Sequence, residues 1–288
     1  MYDNMGFWKT LLGGKEKSPE EEKQEREEKN FDLLKYDGVK AMRMGQADYA
    51  VRCFEEALKM REDLEVRDYL WQVFLRKGNL AAAIEQLQVM ADAQPANVDV
   101  LLQLAHVAYM EEDYPLVEQT VERIRNVDAG NERASFLLAK AAIGTGDSER
   151  AIALLDQLIA QHDDYADARL LRGQTLLAAG RVADADADAT WLVDFAGGHE
   201  DVLMLKAAVE TAKQRFPVAM KLYDLVLQVN PFSAEAYRQR GNLYAAMGET
   251  DKAKADLQQA LELNPEQDVE NIEQQVKQAY KNASPFGV

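Results

Sequence analysis

Residues Ala234 to Pro265 read AEAYRQRGNLYAAMGETDKAKADLQQALELNP. Apolar residues recur at helical spacing on both sides of Gly248, which predicts two short amphipathic helices joined at that glycine. Pro265 cannot continue a helix and closes the second one. Gly241 on the first helix and Ala253 on the second carry almost no side chain, so the two backbones can approach, while Tyr237, Tyr244 and Leu257 fill the space beside them. A single hairpin of this kind cannot bury its own apolar face, so the pattern has to recur elsewhere in the chain.

It recurs at a stride of 34 residues. From Pro265 the step lands on Pro231, and from Ala253, Leu257 and Ala260 it lands on Ala219, Tyr223 and Val226. Further steps reach Ala185, Ala189 and Leu192, then Ala151, Leu155 and Leu158, then Val117, Val121 and Ile124, and finally Ala83, Leu87 and Met90, closed by Pro95. An earlier copy holds Gly38, Gly45, Ala50, Phe54 and Ala57 and reaches the next after 33 residues. The positions of Ala234, Tyr237, Gly241, Tyr244, Ala253, Leu257, Ala260 and Pro265 resemble the tetratricopeptide repeat. The resemblance covers about residues 31–267 as seven repeats, at 31–63, 64–97, 98–131, 132–165, 166–199, 200–233 and 234–267. Some copies depart from it: Glu112 and Gln214 stand at the inter-helix glycine, and Ala129, Asp163 and Gly197 at the closing proline. The resemblance implies an all-α fold, an α-solenoid in which helix hairpins wind into a right-handed superhelix.

A chain of 288 residues would ordinarily suggest two globular domains, but a repeat array is one elongated domain. Hydrophobic residues make up 47%, enough for a core, without an apolar run long enough to cross a bilayer. Fifty acidic against 33 basic residues leave a net charge of −17, which repels phosphate backbones and argues against nucleic acid as a general partner. The single cysteine, Cys53, has no partner for an internal disulfide, and no secretory signal opens the chain; both features predict a cytoplasmic setting.

Outside the repeats, residues 1–17 are expected to form a flexible segment. Phe7, Trp8, Leu11 and Leu12 precede a Gly13-Gly14 break there and suit either a short anchor for a membrane or partner, or an untethered tail or plug on the first repeat. Met5-Gly6 with Thr10 fits a myristoylation signal only if translation starts at Met5. Ser18-Pro19-Glu20-Glu21 is a helix start with cap, first-position proline and returning glutamate, so residues 18–30 form a charged helical extension running into the first repeat. Asn97, Asn131 and Ser233 sit where first helices need caps, and Pro115 and Pro217 where second helices begin. Val269, Ile272, Val276 and Tyr280 recur at helical spacing and predict a capping helix over 268–283, followed by a tail at 284–288.

The residues show no catalytic pattern. His106, His162 and His199 fall in separate repeats without metal-ligand spacing. Asp184, Asp186 and Asp188 imitate the start of a calcium loop, but Ala189 and Phe195 replace its glycine and glutamate, so the run reads as a solvated acidic face. No phosphate-cradling glycine loop or nucleophile elbow occurs, and neither a metal nor another cofactor is expected. The resemblance implies a non-catalytic scaffold or adaptor whose concave wall, built by first helices, binds an apolar or amphipathic segment of a protein partner. Its inward positions correspond here to Tyr36, Tyr69, Leu102, Tyr109, Met110, Phe136, Leu137, Ile143, Leu170, Leu171, Leu177, Met204 and Leu205. Arg238 and Asn242 match half of the clamp that some relatives use for charged peptides, but Glu273 stands where its second basic residue would be. Two other uses of the stripe remain open: sideways packing between neighbouring first helices, and self-association of two copies into a homo-oligomer. A lipid or small-molecule carrier, or an enzyme, is a more distant alternative.

Overall fold

The computed structural model describes residues 18–265. The expected N-terminal segment, capping helix and tail lie outside the described residues. The chain divides into two compact units, Met1–Leu137 and Leu138–Val288. Among the described residues there are fourteen helices and no strand. The first unit holds α1 (Pro19–Arg43), α2 (Ala47–Met60), α3 (Leu64–Arg76), α4 (Leu80–Ala93), α5 (Val98–Met110), α6 (Tyr114–Val127) and the start of α7 (Glu132–Gly144). The second holds the rest of α7, then α8 (Ser148–Gln161), α9 (Ala166–Ala178), α10 (Val182–Ala196), α11 (Glu200–Ala212), α12 (Phe216–Val229), α13 (Ala234–Ala246) and α14 (Thr250–Leu263).

Helix starts follow local chemistry. At α1 the Glu21 amide donates to Ser18 Oγ (3.2 Å) and the Ser18 amide donates back to the Glu21 carboxylate (2.7 Å), a reciprocal cap with Pro19 in the first turn. The helix then runs 25 residues without a break, and its buried residues, Phe31, Gly38 and Ala41, all lie in its later part. Asn97, Asn131 and Ser233 accept from the amides of Val100, Ala134 and Ala236. Pro115 and Pro217 occupy the opening turns of α6 and α12, where a missing amide hydrogen costs nothing.

Burial follows the stride. Ala83, Val117, Ala151, Ala185, Ala219 and Ala253 are all buried, as are Leu87, Val121, Leu155, Ala189, Tyr223 and Leu257. Small residues at the crossings let paired helices approach. A Cβ added to Gly241 would sit 2.9 Å from Leu257 Cγ and 3.3 Å from the Ala253 carbonyl oxygen, closer than a folded hairpin allows. In α2 the single cysteine, Cys53, is a free thiol only 4% exposed.

Ion pairs in the second unit cross helices in a way the sequence reading missed. Arg172 on α9 donates to both carboxylate oxygens of Asp188 on α10 (2.8 and 2.5 Å) and to Asp156 on α8 (2.7 Å). Two strides later Arg240 on α13 repeats the arrangement with Asp256 on α14 (2.7 and 2.9 Å) and Asp224 on α12 (2.7 Å). Each guanidinium thus ties the second helix of its own hairpin to that of the hairpin before. The expectation of a solvated acidic face over Asp184, Asp186 and Asp188 is corrected accordingly. Asp184 is exposed, but Asp188 is 1% exposed beneath Arg172, and Asp186 pairs with Lys206 of α11 and with Lys213 just after it, each at 2.8 Å. Burial opposes ionisation of Asp186, but the two ammonium groups outweigh it and hold its carboxyl below the usual carboxylate range.

Candidate functional site

Most of the inward positions fall in three registers along the first helices, and these differ in depth. Leu102, Phe136, Leu170, Met204 and Arg238 share one register, and all are half-buried. Tyr109, Ile143 and Leu177 share a second and are half-buried as well. The third contains Leu137, Leu171 and Leu205. Leu171 is half-buried, but Leu137 (7% exposed) and Leu205 (3%) are buried, deeper than the open lining expected of them. Leu205 is drawn inward because Gly173 on α9 leaves room for it: a Cβ there would lie 2.8 Å from Leu205 Cδ2. Leu170 and Leu177 also rest partly on the core of α9, α10 and α11. Sideways packing therefore takes up part of the stripe and leaves part of it accessible.

In the first unit Tyr36 is 66% exposed and Met110 is exposed. Tyr69 stacks on Phe54 with ring centroids 5.7 Å apart and donates its hydroxyl to Glu65 (2.9 Å). Glu65 also takes Lys35 (2.6 Å); burial disfavours the Lys35 ammonium, but Glu65 and Asp63 outweigh it and hold the group above the usual lysine value. The rings of Tyr109 and Tyr114 lie 6.2 Å apart in a tilted pair.

In the second unit the stripe opens into a cavity of about 650 Å³ between α9, α11 and α13. Leu177, Ala178, Met204, Leu205, Ala208 and Tyr223 form its apolar walls, and the short side chains of Ala178 and Ala208 leave the void. Tyr223, 1% exposed, reaches it from α12; burial, more than any neighbouring charge, pushes its phenol above the usual value. The polar rim carries Gln174, Glu200, Asp201, Glu235 and Gln239. Of the expected residues, the cavity brings together Leu177, Met204 and Leu205; Leu170, Leu171, Arg238 and Asn242 lie outside its lining. Arg238 is held by Glu235 one turn back through two hydrogen bonds (2.8 and 2.5 Å), so its charge is already balanced within α13.

The sequence reading missed the rim acids. Asp201 and Glu235 stand one stride apart in the first turns of α11 and α13, where an acid looks like a complement to the helix dipole. Their recurrence in one register was the available signal. Among the described residues no group of histidine, cysteine and carboxylate side chains could hold a metal ion, and no helix is long and apolar enough to cross a membrane.

Models of the tetratricopeptide repeat match residues 38–98, 136–199 and 205–277, together more than half of the chain. No curated protein matches it in sequence. Among solved structures, a tetratricopeptide repeat protein from Parabacteroides merdae ATCC 43184 is similar with a TM-score of 0.70 at 14% identity, over 88% of this chain and 99% of that one. YrrB, a tetratricopeptide repeat protein with an unusual peptide-binding site, is similar with a TM-score of 0.51 at 12% identity, over 68% of this chain and 97% of its own. At such identities the likeness carries the all-α helical-repeat fold alone.

Proposed function

We propose that this chain, which belongs to the tetratricopeptide repeat family, is a non-catalytic scaffold that holds an apolar or amphipathic segment of a partner protein against its first helices. The observation that carries this reading is the cavity between α9, α11 and α13, whose volume of about 650 Å³ falls within the roughly 300–1,000 Å³ of clefts that hold ligands. Its walls are apolar, with Met204 able to adapt to more than one shape, and amides and carboxylates at the rim can fix a backbone running across it. The peptide-binding site of YrrB supports the same use of a related fold. Binding would draw its free energy from apolar area removed from water, at roughly 25 cal/mol per Å² before the costs of ordering.

A photo-activatable residue placed at Ala208 and, as control, at exposed Gln228 on α12 tests the proposal in the native cell. Cross-links to one protein from position 208, absent from position 228 and lost when Met204→Glu is added, are the expected result. Equal cross-linking from both positions, or persistence in the Met204→Glu variant with helicity intact, overturns it. A cross-linked dimer of the chain from position 208 replaces the adaptor by self-assembly through the same face.

A further inference from the structure

Resting on that reading, we infer that the cavity between α9, α11 and α13 selects segments in which a lysine or arginine adjoins apolar side chains. The inference comes from the rim's uncompensated charge. Three carboxylates line the cavity and no lysine or arginine does. Glu235 is neutralised by Arg238. Glu200 accepts one hydrogen bond from the uncharged Asn230 amide (2.7 Å), which brings no compensating positive charge. Asp201 is exposed and has no ion-pair partner among the described residues. Lys206 on α11 and Lys213 just after it are engaged by Asp186 and Glu210 instead. Two adjacent negative charges therefore stand at one lip of an apolar void.

The helix dipole accounts for part of this arrangement but not for all of it. The first turn of α11 carries about half a positive charge, which stabilises an acid there and leaves most of two full charges unbalanced. A partner carboxylate or phosphate entering the cavity would meet like charge. A lysine or arginine could lay its aliphatic stem along Met204 and Leu177 and bring its charged head to Glu200 and Asp201, the usual way such side chains divide between apolar surface and water. The occupant is thus an amphipathic protein segment with a basic residue beside its apolar ones, the reverse in sign of what a paired basic clamp would take.

A phage-displayed library of random dodecapeptides, panned at low ionic strength against the full-length chain and against Met204→Glu, tests this. The expected peptides combine lysine or arginine with apolar neighbours, are not retained by Met204→Glu, and lose about tenfold in affinity on Asp201→Lys, with a smaller loss on Asp201→Asn. Salt should weaken their binding, because the lip is exposed to solvent. Enriched peptides without a basic residue, or ones bound equally by Asp201→Lys, overturn the charge selection and leave the groove standing. Enrichment no greater than on Met204→Glu overturns the groove itself. Circular dichroism confirms that each variant is folded before panning.

Discussion

At the scale of single residues, the sharpest features are two turns made without glycine. The linkers between paired helices require a left-handed residue, supplied for example by Gly146 (φ 80°) and Gly248 (φ 79°). Glu112 (φ 59°) and Gln214 (φ 57°) adopt the same conformation with a side chain present, where Cβ crowds the carbonyl at a cost of roughly 1–2 kcal/mol. Glycine would relieve that strain but lose more entropy on folding. Glu112→Gly and Gln214→Gly should each therefore raise stability by about 0.5–1 kcal/mol, read as a higher urea midpoint with an unchanged slope. The reverse change supplies the control: Gly146→Ala meets no atom within 4 Å, so its expected loss of about 1 kcal/mol reports backbone conformation alone. Loss of stability in both glycine variants would mean that the Glu112 and Gln214 side chains contribute more than their turns cost.

At the scale of elements, the arginine clasps decide how hairpins join. Asp188→Ala leaves Arg172 with Asp156 alone and should cost about 3 kcal/mol, whereas Arg172→Met with Asp188→Leu should recover part of the loss, because the facing guanidinium and carboxylate are removed together and the Asp156 left behind is open to solvent. Asp186 adds a dependence on pH. Its carboxyl lies below the unfolded value in the folded chain, so its stabilisation is complete above the ordinary aspartate pKa of about 4 and is lost as pH falls through the lower folded value. Asp186→Asn should lower the urea midpoint at neutral pH and flatten its fall in acid; an unchanged acid profile would assign that fall to other carboxylates. Hairpin pairing and capping were legible in the sequence because they are local: a serine, a proline and a stride are enough to place α1, α6 and α12. The clasps were not, because Asp188 answers to an arginine 16 residues before it and Asp186 to lysines on and just after the next helix. The site was half legible for a similar reason. Leu171 and Leu205 are the same residue in the same register, and only the neighbour each packs against decides which is buried.

At the scale of the whole molecule, a repeat array is stabilised by contacts between near neighbours, so its parts need not melt together. Trp71 lies in α3 of the first unit and Trp191 in α10 of the second, where it packs on Phe195 at 4.7 Å and carries Arg169 over its ring at 4.2 Å. In a Trp8→Phe background, single-tryptophan variants should report the two units separately. Asp188→Ala should then lower the urea midpoint seen by Trp191 by more than that seen by Trp71; equal shifts would make the array one cooperative block. The buried thiol of Cys53 extends this to the native state without any substitution. A reagent that alkylates thiols reaches it only when α2 detaches, so the rate at which it is consumed counts spontaneous openings of the first hairpin. With a single sulfhydryl in the chain, no second reactive site can blur that count.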